Sequence, residues 1–444
     1  MLDYTLRHIP KLSISNQIQK PATTYNQKKE YQFRYRSKRH KFLPHVVKFS
    51  GGRSSGMLLF SLLKNGLLDP SRGDVIVFNN TSAEHPNTYR FIKDCIKAAQ
   101  PYGIPFFLIE FQTYEDARRG EYTRIPSYHL VNDEPLTAKN PNGFHWKGEV
   151  FEELLSWSGF VPNQFSRICT KHLKLETTRN FLKDWLIGKP KIPRLGHYGT
   201  NSRMDADESY QRHCKNQGSV PKDIFLRKRN YAWQRSHIRP EQAYRDFCSE
   251  YVPFKNPILG RKTYGNKAFF SREGVEYVAF IGLRSDEPQR IQRVAERNIH
   301  PGGYEGEHVY MPLADLAITK EEVNFFWDKQ NWDLNLPKNT TLSNCVYCFL
   351  KGSKNLKRVH NELIEAGENF PNFGPITDTP NDLSWWKQIE SNYGRDLNAE
   401  GRAIKSDITH IGFFGSKGLS YTSIIEEDFS PEIIESNLPC DCTE

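Results

Sequence analysis

The chain has 444 residues, of which 37% are hydrophobic, so it is long enough to bury a full α/β core and a second unit. No apolar run approaches the ~18 residues that span a bilayer, and the first residues lack the basic start and apolar core of a secretory signal, which favours a cytoplasmic protein without a membrane partner. The eight cysteines include a Cys-x-x-Cys pair, and in a reducing compartment this spacing favours a metal or redox site over a disulfide framework.

Basic residues are concentrated near the amino terminus. The net charge is +9, and residues 1–44 form a polar, basic appendage. Within it, residues 27–41 combine basic side chains with Tyr31, Phe33 and Tyr35, and a second basic, aromatic stretch follows at 226–235. Basic groups neutralise phosphates and aromatic rings stack on bases, so this composition predicts a nucleic-acid contact. A charged edge strand or a solvated tail is the alternative. The predicted contact residues are Arg34, Arg36, Lys38 and Arg39.

A strand, a small-residue loop and a helix are predicted in succession from residue 46. The apolar run 46–49 predicts a buried parallel strand, and apolar residues at helical spacing from Met57 to Leu63 predict a helix. Between them, glycines allow the backbone to approach an anion, serines add hydroxyls, and the helix N-terminus adds positive partial charge. No Gly-Lys-Ser/Thr closes the loop, so it is not a Walker loop. A turn that binds nothing is the alternative. The loop residues are Ser50, Gly51, Gly52, Arg53, Ser54, Ser55 and Gly56.

Strands and helices alternate after this loop. This order predicts a parallel sheet with right-handed crossovers, whose ligand binds at the carboxyl ends of the strands. Two polar stretches, 112–165 and 190–265, are predicted to be insertions, and residues 170–186 have a helical pattern. The other predicted elements are a strand at 74–78, a helix at 86–99, strands at 105–110 and 276–283, a helix at 287–297, and a helix capped by Thr319 with Glu322 at its third position.

Four stretches in order resemble a known superfamily. The loop SGGRSSG resembles the PP-loop of the N-type ATP pyrophosphatases and sulfonucleotide reductases, the superfamily of phosphoadenosine phosphosulfate (PAPS) reductase. The stretches VIVFNNTSAEHPNTYRF (75–91), ICTKHLKL (168–175) and IGLRSDEPQR (281–290) resemble the segments that follow in that superfamily. The resemblance implies an α/β fold of the adenine nucleotide alpha hydrolase-like type. It divides the chain into the appendage 1–44, a nucleotide-binding domain 45–300 with two insertions, and a C-terminal region 301–444 that carries the Cys-x-x-Cys site.

The resemblance also implies a site for ATP or a related adenine nucleotide. Ser50, Gly51, Gly52, Arg53, Ser54 and Ser55 would contact phosphate, and Asn79, Thr81, Arg284 and Glu287 would surround the rest of the nucleotide. One residue departs from the pattern, because many ATP pyrophosphatases have aspartate where this chain has Ser54. The sulfonucleotide reductases also lack that carboxylate. Glu84 or Asp286 is a candidate oxygen ligand for Mg²⁺, although an ordinary surface carboxylate is the alternative.

The pair Cys345 and Cys348 predicts a metal or cluster site. Two thiolates at this spacing bind one metal, but the spacing does not distinguish zinc from an iron–sulfur cluster. The resemblance favours a [4Fe–4S] cluster with Cys169 as third ligand, although Thr170 stands where the family has a second cysteine. The fourth ligand is expected from Cys440, Cys442 or Cys214. Cys95 is predicted to lie in the core, and Cys248 has no predicted role.

The function that the resemblance favours is nucleotide-dependent sulfur transfer to a nucleic acid, similar to the DNA phosphorothioation sulfurtransferases of this superfamily. ATP would activate an oxygen by adenylation, and sulfur from a cysteine or a cluster would displace AMP, with Cys440 and Cys442 as candidate catalytic cysteines. A cysteine desulfurase or another sulfur donor is then an expected partner.

Two alternatives remain open. The first is an assimilatory PAPS or adenylylsulfate reductase, although the chain ends in Pro-Cys-Asp-Cys-Thr-Glu and not in the Glu-Cys-Gly segment of those enzymes. The second is a non-enzymatic nucleic-acid-binding subunit of a modification or defence system.

Overall fold

A computed structural model describes about two thirds of the chain. The described residues are 4, 6–9, 12–14, 31–116, 123–187, 211, 214–215, 222, 270–271, 274–299, 306–338, 340, 342, 345–367, 369–370, 373–398, 410–415 and 419–426. The candidate catalytic residues Cys440 and Cys442, together with Cys248 and the basic stretch 226–235, lie outside these residues.

The centre of the fold is a six-stranded sheet. The strands in chain order are β1 Leu12–Ile14, β2 Tyr31–Phe33, β3 His45–Phe49, β4 Val75–Asn80, β5 Phe106–Asp116, β6 Thr123–Val131, β7 Phe270–Ser271, β8 Gly274–Val275, β9 Tyr277–Ile281, β10 Glu307–Tyr310, β11 Asn369–Phe370, β12 Gly374–Pro375, β13 Arg395–Asp396 and β14 His410–Ile411. The central sheet has the order β10-β9-β3-β4-β5-β6, and every neighbouring pair is parallel except β5 with β6. The protein is therefore an α/β protein with a mostly parallel sheet.

Helices cover both faces of this sheet. They are α1 Arg53–Lys64, α2 Pro86–Ala99, α3 Glu149–Ser158, α4 Thr177–Ile187, α5 Pro288–Ile299, α6 Pro312–Asp315, α7 Lys320–Asp328, α8 Ser353–Ala366, α9 Leu383–Tyr393 and α10 Tyr421–Glu426. A π-helix spans Cys169–Glu176, and 3-10 turns span Lys38–Phe42, Pro70–Arg72, Gln100–Tyr102 and Phe349–Lys351.

Two hydrophobic cores separate along β3 because successive side chains of a strand point to opposite faces. Val47 joins the larger core, which contains α1, α2, α7 and the C-terminal helices. Val46 joins the smaller core, with Phe181 and Trp185 of α4. Burying each of these side chains fully stabilises the fold by about 1.5–3 kcal/mol.

Most predicted elements of the sheet are confirmed. Helix α2 has the predicted bounds, and the predicted strands correspond to β3, β4, β5 and β9. The capping box at Thr319 is present, with Glu322 Oε2 accepting from the Thr319 N–H at 2.8 Å. Cys95 is fully buried in α2, as predicted.

The stretch predicted to be the first insertion contains part of the sheet. Strand β5 continues to Asp116 and pairs antiparallel with β6, and α3 follows. Pro126 lies within β6, and proline in a strand signals a loop unless the strand is at an edge, as β6 is. Beyond residue 300, β10 extends the sheet on β9. In the described ranges, no helix is both long and apolar enough to cross a bilayer.

Candidate nucleotide and cysteine site

The sheet reverses its direction of winding between β3 and β9. From β3 the chain builds outward through β4 and β5, and it then returns to add β9 and β10 on the other side of β3. In open α/β sheets, ligands bind at the carboxyl ends of the strands at such a reversal. The serine- and glycine-rich loop follows β3 at this point, and Arg284 follows β9.

The loop after β3 is held in shape by small residues. Gly51 has φ +75°, and a Cβ there would lie 2.8 Å from Thr88 Cγ2. Ser55 Oγ accepts from the Ser50 N–H at 3.2 Å and donates to the Gly52 carbonyl at 2.9 Å. Gly52 occupies the N-cap position of α1 and provides no side-chain cap. The first turn of α1 therefore presents backbone N–H groups and positive partial charge, a suitable arrangement for a phosphate.

Residues after β9 close the other side of the loop. A Cβ on Gly282 would lie 2.8 Å from Ser55 Cα, so only glycine allows β9 to approach the loop this closely. Arg284 Nη1 donates to Ser54 Oγ at 3.0 Å. Glu287 Oε2 accepts from the Arg284 N–H at 2.9 Å and orients this turn. The guanidinium of Arg284 thus lies beside the Ser54 hydroxyl in the first turn of α1.

The Arg53 side chain, unlike the other side chains of the loop, is paired with a residue beyond α7. Its guanidinium forms a two-point ion pair with Asp333, at 2.8 Å and 2.6 Å, and also donates to the Leu336 carbonyl. Trp327 Nε1 donates to the Arg53 carbonyl at 2.8 Å. The Arg53 side chain therefore ties α1 to the segment after α7.

Residues at the end of β4 and just after it are bonded to other segments, and Thr81 and Glu84 are buried. Asn79 exchanges hydrogen bonds with Thr178 of α4. Thr81 Oγ1 donates to Glu84 Oε1 at 2.7 Å and lies 3.3 Å from Cys345 Sγ. Glu84 and Cys345 also form an isolated antiparallel β-bridge. This contact brings the Cys-x-x-Cys segment to the carboxyl end of the strand beside β3.

Glu84 is the charged centre of this region. Burial raises the pKa of its carboxyl, and the ammonium of buried Lys174, from the π-helix, opposes that shift. Its Oε2 accepts from Tyr89 Oη at 3.0 Å. The other candidate magnesium ligand, Asp286, accepts from Arg284 Nε at 2.8 Å. Both carboxylates therefore already accept hydrogen bonds from the protein.

Three of the predicted cluster ligands raise the pKa of one buried hydroxyl. Burial raises the pKa of Tyr421 well above its usual range, and the nearby Cys348, Cys345 and Cys169 add to the increase. All three cysteines are buried thiols. Among the described residues, however, no three His, Cys, Asp or Glu side chains form a group that could hold a metal ion. The candidate fourth ligand Cys214 is described and half-buried, whereas Cys440 is not described.

Several functional candidates were missed in the sequence. Asn80 Nδ2 donates to Glu110 Oε1 at 2.7 Å, and Glu110 Oε2 lies 2.6 Å from His145 Nδ1. Tyr89 Oη links this buried pair to Glu84 through Asn80 Oδ1, at 2.9 Å. The sequence offered one indication of this buried pair, because Glu110 is a carboxylate at the end of a predicted buried strand. No local pattern predicted its partner His145, which lies 35 residues away.

The basic segment, residues 31–44, lies at the amino end of the central sheet, away from the loop after β3. Tyr35 Oη lies 2.7 Å from Nε2 of His45, the first residue of β3, and Arg39 pairs with Glu276, just before β9. Arg36 lies over the Tyr310 ring at 4.4 Å. Phe33 is buried in the core, so the prediction that it stacks on bases is wrong. Strand β3 separates this segment from the loop by about 16 Å, at roughly 3.3 Å per residue.

Comparisons with known proteins identified a phage protein that is similar to this chain. No family model matches the chain, and no solved structure matches it. The uncharacterized nin region protein ORF290 of Escherichia phage lambda is 31% identical over 336 residues, which are 72% of this chain and 74% of the phage protein.

Proposed function

The chain belongs to the family of the phage lambda nin region protein ORF290, and we propose that it is a PP-loop sulfurtransferase that uses an adenine nucleotide and acts on nucleic acid. One observation carries the proposal: Cys345 Sγ lies 3.3 Å from Thr81 Oγ1. Thr81 follows β4, and β4 pairs with β3, the strand that leads into the phosphate-sized loop. A sulfur-bearing side chain and an anion site thus share the carboxyl edge of one sheet.

The nucleotide phosphates bind the loop in this proposal. Backbone N–H groups at the start of α1 and the Arg284 guanidinium supply the positive charge. A double variant, Gly52→Val with Ser55→Ala, blocks the backbone approach and removes a hydroxyl. We expect it to lose ATP binding in calorimetry, since each hydrogen bond to a charged group is worth about 1.5–3 kcal/mol. Unchanged affinities for ATP, adenylylsulfate and PAPS would refute the nucleotide site.

A [4Fe–4S] cluster on Cys169, Cys345, Cys348 and Cys440 is part of the proposal. The three described cysteines are buried thiols, but among the described residues they do not form a metal site by themselves. Anaerobically purified protein should be brown and contain iron, and Cys345→Ala should lose that iron while Cys95→Ala, a change in the core of α2, retains it. Colourless protein with stoichiometric zinc would refute the cluster and indicate a structural zinc site.

Nucleic acid is the proposed acceptor of sulfur, and DNA is the favoured form. The support is the basic segment, where residues 31–44 include five basic residues and no acidic residue. Changing Arg34, Arg36, Lys38 and Arg39 to Ala should weaken DNA binding and reduce its dependence on salt. Desulfurase-dependent incorporation of radioactive sulfur into DNA is the direct assay. Salt-sensitive binding without any incorporation would favour a non-enzymatic subunit.

Sulfonucleotide reduction is the second candidate. It is favoured by Ser54, which accepts from Arg284 and leaves the loop without the aspartate of the ATP pyrophosphatases. Incubation with PAPS or adenylylsulfate and a thiol distinguishes the two reactions. We expect no sulfite release. Catalytic sulfite release combined with no DNA binding at low salt would establish the reductase.

A further inference from the structure

The 3-10 turn Lys38–Phe42 is fixed to the sheet on one side. Ser37 Oγ accepts from the Arg39 N–H at 3.3 Å, and His40 Nδ1 lies 2.7 Å from Tyr310 Oη. The His40 ring also stacks on His308, with centroids 4.0 Å apart. Arg72 Nη1 donates to the Lys41 carbonyl at 2.9 Å. The turn is therefore held from both of its ends.

The opposite side of the turn is basic and carries an exposed aromatic ring. Phe42 is 64% exposed, and the Arg39 side chain is 53% exposed even though it pairs with Glu276. Lys38 and Lys41 are exposed as well. The five residues of this turn therefore include one exposed apolar ring and three exposed cationic side chains.

We propose that this turn is a stacking platform for single-stranded nucleic acid, with Phe42 as the ring on which a base stacks and Lys38, Arg39 and Lys41 as the phosphate contacts. The inference rests on the proposed nucleic-acid target and specifies how that target is held. Phe42 takes the role that the sequence assigned to Phe33, which is buried. A ring held on a fixed backbone loses little conformational entropy when a base stacks on it.

The chemistry of the turn favours a single strand over a duplex. Base faces are available for stacking when they are unpaired, whereas stacked base pairs in a duplex cover them. A lone exposed phenylalanine is ordinary on protein surfaces, so the three exposed basic residues of the same short turn carry the argument. Phe325 provides a matched comparison in α7, since it is 58% exposed and has the Lys329 ammonium 4.8 Å from its ring centroid.

The test measures binding of the full chain to labelled oligodeoxythymidine by fluorescence anisotropy. We expect Phe42→Ala to weaken binding about 5- to 100-fold, the range observed when a stacking aromatic is removed. Phe325→Ala should leave the affinity unchanged. Both changes remove exposed rings, and equal thermal unfolding midpoints would verify that the fold is intact.

The dependence of binding affinity on salt distinguishes the stacking contribution of Phe42 from the charge contribution of the lysines. Phe42→Ala should leave the slope of log affinity against log salt unchanged, whereas Lys38→Ala and Lys41→Ala should each reduce it by about 0.7. If Phe42→Ala left binding unchanged, the stacking platform would be refuted, whereas nucleic acid would remain the proposed target. Tighter binding to a duplex of the same length would also overturn it. No binding to either form would overturn both the platform and the proposed target.

Discussion

The two ends of the central sheet are built from different kinds of interaction. At the carboxyl end, the loop, Gly282 and the residues after β4 meet through backbone contacts that only glycine allows and through buried or partly buried hydrogen bonds. At the amino end, the basic segment is attached by rings and by partly exposed ion pairs. The close packing at the carboxyl end leaves the backbone no room to move, whereas water screens the partly exposed ion pairs at the amino end. Substitutions at the carboxyl end should therefore have the larger effects.

The largest effect is expected from Gly282→Val. The new side chain would meet Ser55 Cα at 2.8 Å and Ser55 N at 3.0 Å, which are backbone atoms that cannot turn away. Overpacking of this kind costs about 1–3 kcal/mol of unfolding free energy, and displacement of the loop should also reduce nucleotide affinity. Urea unfolding and ATP titration measure the two effects.

Gly52→Ala is the matched control for this variant. Gly52 has an ordinary φ of −100°, and the nearest atom to a new Cβ is Ser50 Oγ at 3.7 Å. We expect Gly52→Ala to fold with normal stability and to bind nucleotide less well. If Gly282→Val were as stable as the Gly52→Ala variant, the close packing of β9 on the loop would be rejected.

A comparable loss of stability, without displacement of the loop, is expected from Thr81→Val, which removes the hydroxyl between Glu84 and Cys345. The Glu84 carboxyl then loses a donor in a buried site, a change that costs about 1–3 kcal/mol. Thr113→Val is the control, because Thr113 donates to buried Glu153 in a comparable pair. Both variants should lose stability in urea. Only Thr81→Val should change the rate at which Cys345 is alkylated, as measured by peptide mass spectrometry.

Acid should loosen the amino end of the sheet. Burial lowers the pKa of His40 to about 4, and His308, Arg36 and Arg39 add to the decrease. The unfolded chain, with a histidine pKa near 6.5, therefore binds more protons between pH 4 and 6.5. The stabilising contribution of neutral His40 is complete above pH 6.5 and is lost as the pH falls toward 4.

Hydrogen exchange of the Leu43 amide, which donates to the His40 carbonyl, reports this opening. After discounting for solvent screening, we expect a loss of about 1 kcal/mol in the local free energy of opening between pH 7 and pH 4. His40→Gln should remove the part of this pH dependence that His40 supplies, while His45, whose pKa burial lowers to about 3, keeps its own part. Equal protection of the amide at both pH values in the unaltered protein would contradict the assignment.

The smallest effect is expected from Glu276→Gln. Arg39 is half exposed, so loss of its ion pair should change the unfolding free energy by less than about 1 kcal/mol. The same change removes a negative charge beside the Arg39 guanidinium, and DNA affinity should rise a few-fold at low salt. Arg39→Ala should have a similar stability and the opposite effect on DNA. A fall in DNA affinity for Glu276→Gln would remove Arg39 from the binding surface.

Sequence patterns predicted the carboxyl end of the sheet better than the amino end. The loop after β3 is specified by neighbouring residues, since glycine and serine act on their own backbone, and the same holds for the capping box at Thr319. The two-residue spacing of the Cys-x-x-Cys pair is also local. These features were therefore visible before the fold was known.

Contacts between distant segments were not visible in the same way. Thr81 meets Cys345 across 264 positions, and Arg53, grouped with the phosphate contacts, pairs with Asp333. Phe33 looked like a stacking residue because its neighbours are basic, but burial depends on the sheet that it meets. Tertiary packing determines the partners of Thr81 and Arg53 and the burial of Phe33, and local residue spacing does not encode that packing.

The ion pair between Arg53 and Asp333 has a consequence for synthesis of the protein. The two residues are 280 positions apart, and α7 together with the segment that follows it holds the helix that begins at the loop. A ribosome adds roughly 5–20 residues per second, so the nascent loop waits about 15–55 s for this support. The proposed nucleotide site, completed so late, cannot stabilise the earlier stages of folding, and nucleotide added during translation should act only on nearly finished chains.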